Sequence, residues 1–324
     1  MSIDALKQTA QSIANDPQTV GLMFFILKQQ NQYSVRKVEL SAAAQTALTA
    51  EVKLELREFF ETEYFLRDLT AADQRQDAIY TYNLQNYPPQ LEKLIETLDA
   101  PAAIPEFNHV DDQITDLKAI VIILGNGANT LAIYKHHYPT NTFRRNGFSL
   151  FRAGIGQDRF EKLDQDIVRM GHTIDFLYDG GDVYVTNFKI LEKFFGFKEA
   201  MKADAVVKLE TLTNRDIIED IALLEERISV QGDVTFAKKV IRAIAHSKVL
   251  ETVDNNKIIQ FIKQHHNLSK KIKINDDDTR IILDTKISQN FFMKLLNDDY
   301  LKSELTNFEY DANNKDLVEV AENA

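Results

Sequence analysis

The chain has 324 residues, 44% hydrophobic and 27% charged, a balance that excludes wholesale disorder and allows one large or two ordinary domains. The net charge is −11, and the absence of cysteine excludes disulfides, thiol catalysis and cysteine-ligated metal sites. The opening residues lack the features of a signal peptide and the apolar runs are too short to cross a bilayer, so we expect a cytoplasmic protein.

The first part of the chain alternates strand and helix patterns. Apolar residues occupy both faces of 20–27, which predicts an interior strand, and a second strand is predicted at 33–40. Ser41 is placed to cap a helix predicted over 42–69. We interpret the charged residues of this helix, Glu51 and Glu55 among them, as its solvated face.

A run rich in proline and aspartate, Asp99–Asp116, predicts an internal boundary. It would separate an N-terminal α+β region at 1–110 from a second α+β domain at 117–320. One continuous domain is the alternative.

The middle of the chain carries the clearest β-pattern. Two hairpins are predicted, at 118–136 around Asn126-Gly127 and at 173–186 around Gly180-Gly181. Beyond Asn187 the apolar period changes from two residues to 3.6, which predicts a helical region over 188–265. The fold class expected is therefore α+β, with antiparallel hairpins and packed helices.

One segment has a charge opposite to that of the chain. Phe236–Lys273 contains nine lysines and arginines against two acidic residues, 9 − 2 = +7, so the remainder carries −11 − 7 = −18. Such segregation is typical of a surface that binds a polyanion. An ordinary solvated helical hairpin is the alternative.

Helical phase separates apolar and basic residues within this segment, which we call the basic segment. Its apolar residues share one arc of a helix capped by Asp233 or Thr235, and its cations are expected on the exposed side. A second helix, capped by Asn255 or Asn256, would bury Ile258, Phe261 and Ile262, with His265 at the core boundary. The residues predicted to contact a DNA backbone are Lys238, Lys239, Arg242, Lys257, Lys263, Lys270 and Lys271, with help from Arg144 and Arg145.

The order of motifs from Leu117 onward resembles a known family. The motifs are AIVIILGNGANTLAIYKHHYPTN, IDFLYDGGDVYVTNFKILEKFFGFKEAM, FAKKVIRAIAHSKVL and RIILDTKISQNFFMKLLNDDYLKSELTNFEYDANNKDLVE. Together they are similar to the KwaB-like family of the Kiwa anti-phage defence system. The resemblance covers about the last two-thirds of the chain.

The resemblance implies a partner and a target. It implies a protein that binds invading phage double-stranded DNA and works with a membrane-embedded KwaA-like partner, which would bring it to the inner face of the membrane. It also implies a homodimer or higher homo-oligomer. No residue-level binding signature is carried over, but the matched motif FAKKVIRAIAHSKVL lies in the basic segment.

Two other functions remain as alternatives. Asp284-Thr285-Lys286, behind the aspartates at 276–278, has the D-x-K pattern of a metal-dependent nuclease, which makes Asp284 and Lys286 weak catalytic candidates. The basic segment would serve equally to dock an acidic protein. The pairs His136-His137 and His265-His266 lack a third ligand at a recognisable spacing, so no metal site or cofactor is expected.

Overall fold

The computed structural model describes residues 2–71, 77–143, 150–152, 160–162, 166–245, 247–302 and 309–311. The chain forms two compact units, unit 1 from Met1 to Phe197 and unit 2 from Lys198 to Ala324. The stretch expected to separate two domains, Asp99–Asp116, lies inside unit 1, because strands from both sides of it pair in one sheet.

In its described residues, unit 1 contains one large sheet, two small strand pairs and four α-helices. Its strands are β1 (Val20–Gln29), β2 (Gln32–Val38), β3 (Phe65–Asp68), β4 (Ala78–Thr81), β5 (Leu117–Gly125), β6 (Thr130–His136), β7 (Thr142–Phe143), β8 (Leu150–Arg152), β9 (Phe160–Lys162), β10 (Ile167–Val168), β11 (Phe176–Tyr178) and β12 (Val183–Val185). Its helices are α1 (Ile3–Asn15), α2 (Ala42–Phe59), α3 (Pro89–Asp99) and α4 (Phe188–Phe194).

The eight-stranded sheet has the order β2-β1-β5-β6-β11-β12-β4-β3. Its pairs are antiparallel except β3 with β4. β1 and β5 lie inside the sheet and are apolar on both faces, as a strand covered on both sides must be.

Helices α1 and α2 cover one face of the sheet. Their buried residues, such as Leu6 and Val52, pack with Ile120, Ile122 and Ile133 from β5 and β6. Successive side chains of a strand point to opposite faces, so Val121 and its partner Tyr134 face the other way, the face on which α3 packs. There the ring of Tyr134 meets Phe176 edge-on with centroids 5.3 Å apart.

Unit 2 is mainly helical in its described part. Its helices are α5 (Phe197–Arg215, which begins at the last residue of unit 1), α6 (Ala222–Ser229), α7 (Val234–Ala245), α8 (Lys248–Thr252), α9 (Asn255–Gln264), α10 (His266–Ser269) and α11 (Lys286–Leu296). Its short strands are β13 (Lys273–Ile274), β14 (Ile281–Ile282), β15 (Tyr300–Lys302) and β16 (Glu309–Asp311), which pair β13 with β14 and β15 with β16.

The α+β prediction is confirmed, with both hairpins and the helical region where the sequence predicts them. The helix predicted over 42–69 is too long, because it ends at Phe59 and residues 65–68 instead form an edge strand beside β4. Within the described ranges, no helix is both long and apolar enough to cross a membrane.

Candidate nucleic-acid interface

Helix α7 starts at a capping aspartate that also holds an arginine. Asp233, one of the two predicted caps, accepts a hydrogen bond at 2.9 Å from the Phe236 amide through Oδ1. Its Oδ2 lies 2.9 Å from the guanidinium of Arg227, a nearly buried residue of α6. The same guanidinium lies over the Phe236 ring at 3.8 Å, so one cluster joins α6 to the start of α7.

The cations of α7 are less exposed than the sequence suggests. The apolar arc is buried as predicted, including Phe236 and Val240, and it packs on α6 and α11. Lys239 is exposed and its Nζ donates to Asn290 Oδ1 at 3.1 Å. Lys238 and Arg242 are partly buried. Two helices, α6 and α11, pack on α7, and together they cover more of its surface than its apolar residues alone.

Helix α9 presents two exposed lysines in different surroundings. Asp254 caps it by accepting from the Lys257 amide at 2.8 Å, so the cap lies one residue before the predicted asparagines. Ile258, Ile259 and Ile262 are buried. The sequence predicts Phe261 to be buried with them, but it is 39% exposed. Lys257 is exposed, and Lys263 forms an ion pair with Asp278 at 2.5 Å.

The segment around α10 places two more lysines on the surface. Lys270 and Lys271 are exposed, and the Nζ of Lys270 lies 2.7 Å from Nε2 of His266. His265 is 9% exposed and packs against the rings of Phe261 and Tyr300, in agreement with the prediction of a core-boundary histidine.

Acidic residues outside the basic segment neutralise part of its charge. Lys263 pairs with Asp278 and Lys273 pairs with Asp284, so at least two of the nine cations of the segment are engaged by acidic residues outside it. The exposed members of the predicted contact set, here called the exposed basic set, are Lys239, Lys257, Lys263, Lys270 and Lys271. The predicted helpers Arg144 and Arg145 lie outside the described residues.

The D-x-K pattern uses its aspartate in an ion pair. Lys273 Nζ donates to Asp284 Oδ2 at 2.6 Å, and this hydrogen bond holds the pKa of Asp284 below its usual value. Lys286 is the exposed first residue of α11, and Thr285 caps that helix in a capping box with Ser288 at the third helical position. In the described chain, neither Asp284 nor Lys286 belongs to a cluster of three metal-ligand groups.

One such cluster lies in unit 1, where the sequence suggested only a solvated helix face. Glu51 and Glu55, one turn apart on α2, meet His172 with one ligand atom of each within 4.8 Å of the others. Glu55 is 7% exposed, not solvated, because Lys135 of β6 binds it at 2.5 Å. The only local signal in the sequence is the i, i+4 spacing of the two glutamates.

Comparison with known proteins relates the chain to one family. The family described as "Kiwa protein KwaB-like" matches residues 114–306, which include the whole basic segment. The chain is 32% identical over 253 residues to the Kiwa protein KwaB of Escherichia coli O55:H7 (strain RM12579 / EPEC), an alignment covering 78% of this chain and 79% of that protein. No solved structure gives a significant match.

Proposed function

The chain belongs to the KwaB-like family, and from this membership we propose that it is a component of Kiwa anti-phage defence that binds phage double-stranded DNA. Binding would occur through the exposed basic set and would be independent of base sequence. The protein would act in the cytoplasm, at the inner face of the membrane when its KwaA-like integral membrane partner is present.

The observation that carries the DNA proposal is an exposed group of lysines in an acidic chain. All five members of the exposed basic set lie within the 33 residues from Lys239 to Lys271 of a chain whose net charge is −11. Lysine ammonium groups neutralise phosphates without reading bases, and release of condensed counterions drives such binding. The remaining −18 disfavours DNA elsewhere on average, so binding is expected to depend on this local surface.

The test is a double charge reversal, Lys257→Glu with Lys271→Glu. Both side chains are exposed, and neither makes an ion pair in the part of the chain that the structure describes. Glutamate in the third position of α9 suits the helix N-terminus, so folding should be unaffected. We expect affinity for unrelated 30-base-pair duplexes to fall roughly 10- to 100-fold in fluorescence anisotropy titrations.

The matched control reverses the same number of charges in unit 1. Lys189→Glu with Lys193→Glu changes two exposed lysines of α4 and should leave DNA affinity within about threefold of the parent. If both double variants bind DNA equally well, the proposed surface is wrong. If the parent does not bind DNA but binds an acidic protein, and this binding is lost in Lys257→Glu with Lys271→Glu, the docking alternative is favoured.

The nuclease alternative has less support. The Asp284 carboxylate forms an ion pair with Lys273. Asp278, at the tip of the preceding hairpin, forms an ion pair with Lys263. We expect purified protein to leave linear duplex DNA intact with Mg²⁺ or Mn²⁺. Cleavage that is abolished by Asp284→Asn would reinstate the nuclease.

Self-association and the membrane partner are proposed from family membership. We propose a homodimer or higher homo-oligomer that co-purifies with a KwaA-like membrane protein from detergent extracts. Light scattering that returns the mass of one chain over a 100-fold range of concentration would contradict the oligomer. Recovery of the chain only in the supernatant after co-expression with the partner would contradict the membrane association.

A further inference from the structure

The lining of a cleft of about 570 Å³ in unit 1 includes three glutamates and one histidine, together with apolar and neutral polar residues. Glu51, Glu55 and Glu58 enter it from α2, and His172 enters from the loop before β11. No lysine or arginine is among its lining residues in the described part of the chain. Lys135 offsets the charge of Glu55, and the carboxylates of Glu51 and Glu58 leave the cleft negatively charged, which favours a bound cation.

The buried Lys135 holds Glu55 and the loop around His172 in place in this cleft. Its buried Nζ donates to Glu55 Oε2 at 2.5 Å, to the Gly171 carbonyl at 3.0 Å and to the Thr173 carbonyl at 3.3 Å. Those carbonyls flank His172, so one ammonium group positions both the carboxylate and the loop that bears the imidazole. It engages Oε2 of Glu55 and leaves Oε1 directed at His172.

The distances within the trio suit a small divalent ion. His172 Nδ1 lies 3.2 Å from Glu55 Oε1 and 3.7 Å from Glu51 Oε1. Two ligand atoms on a tetrahedral zinc ion are about 3.4 Å apart, because each bond is about 2.1 Å long. The two distances from the imidazole to the carboxylates therefore bracket the value for ligands of one ion, and all three donor atoms lie within 4.8 Å of one another.

We propose that Glu51, Glu55 and His172 bind one Zn²⁺ ion. Imidazole together with two carboxylates is a donor set that zinc accepts, and imidazole favours it over Mg²⁺. Three protein ligands leave the fourth tetrahedral position open toward the cleft, where water or an oxygen atom of a small ligand would complete the site. The site is in unit 1 and is independent of the proposed DNA surface in unit 2.

The test is a zinc titration of untagged full-length protein against a chromophoric chelator. We expect one tight equivalent of Zn²⁺ and a higher melting temperature with zinc. His172→Ala should weaken binding at least 100-fold, because losing a ligand exceeds the roughly 10- to 100-fold cost of losing an outer-shell partner. Glu51→Gln should weaken it at least tenfold. Glu55 is left unchanged, since its loss would strand the buried Lys135 charge.

The matched control is Glu58→Gln, which removes a carboxylate of the same cleft outside the trio and should bind zinc like the parent. Melting curves without metal establish that each variant folds. The proposal is overturned if the parent binds less than one equivalent, if His172→Ala binds as tightly as the parent, or if Mg²⁺ binds more tightly than Zn²⁺. Equal loss in Glu58→Gln would also overturn it, because it would indicate a diffuse acidic surface.

Discussion

His136, at the end of β6, is a histidine that the fold keeps neutral. Its ring stacks on Phe194 with centroids 4.1 Å apart and meets Tyr138 edge-on at 4.9 Å. Burial, with smaller contributions from the neighbouring His137, Lys118 and Lys193, lowers its pKa from 6.5 to about 4. The imidazolium form is therefore disfavoured in the folded state.

This shift predicts a loss of stability on acidification. In the unfolded chain His136 has a pKa near 6.5, so between about pH 6.5 and pH 4 the unfolded state binds the extra proton and the free energy of unfolding falls as pH falls. His136→Phe keeps an aromatic ring against Phe194 and removes the titratable imidazole. We expect the drop in melting temperature between pH 7 and pH 5 to be smaller in this variant than in the parent.

The control is His109→Phe, an exposed histidine of the same unit. Its acid sensitivity should match that of the parent. An unchanged pH profile in His136→Phe would show that other groups, such as His137, whose pKa burial also lowers, account for the sensitivity.

Helices α7 and α9 begin with the same type of cap in different surroundings. Asp254 caps α9 at the surface, whereas Asp233 caps α7 and also pairs with the nearly buried Arg227. Removing Asp233 therefore costs the cap and leaves the guanidinium without its carboxylate. Asp233→Ala should lower the free energy of unfolding by about 2 kcal/mol and Asp254→Ala by about 1 kcal/mol, measured by urea denaturation. Equal losses would mean that the Arg227 pair contributes nothing to stability.

Across the whole molecule, charge is concentrated rather than mixed. The basic segment carries +7 and the rest of the chain −18, so attraction to DNA should be local and easily screened. If about four phosphates are neutralised, log K should fall against log salt with a slope of roughly −4. Lys257→Glu with Lys271→Glu should reduce that slope by about 2, since two phosphate contacts are lost. A slope unchanged by this variant would place the contacts elsewhere.

Local patterns in the sequence determined the fold class and the identity of the basic segment. Alternation predicted the strands at 118–136 and 173–186, and the period of 3.6 predicted the buried arc of α7. Net charge located the lysines without any knowledge of their neighbours. These properties depend on residues close in sequence, which is why they could be predicted.

The tertiary structure decided which charged side chains are free and which are engaged. Glu55 can be buried because Lys135, 80 residues away in the sequence, neutralises it. Lys263 and Lys273 form ion pairs with Asp278 and Asp284. The trio of Glu51, Glu55 and His172 likewise joins α2 to a loop more than 100 residues distant. Such pairs leave no periodic trace in the chain, because the distance between two charges is set by packing and not by their separation in sequence.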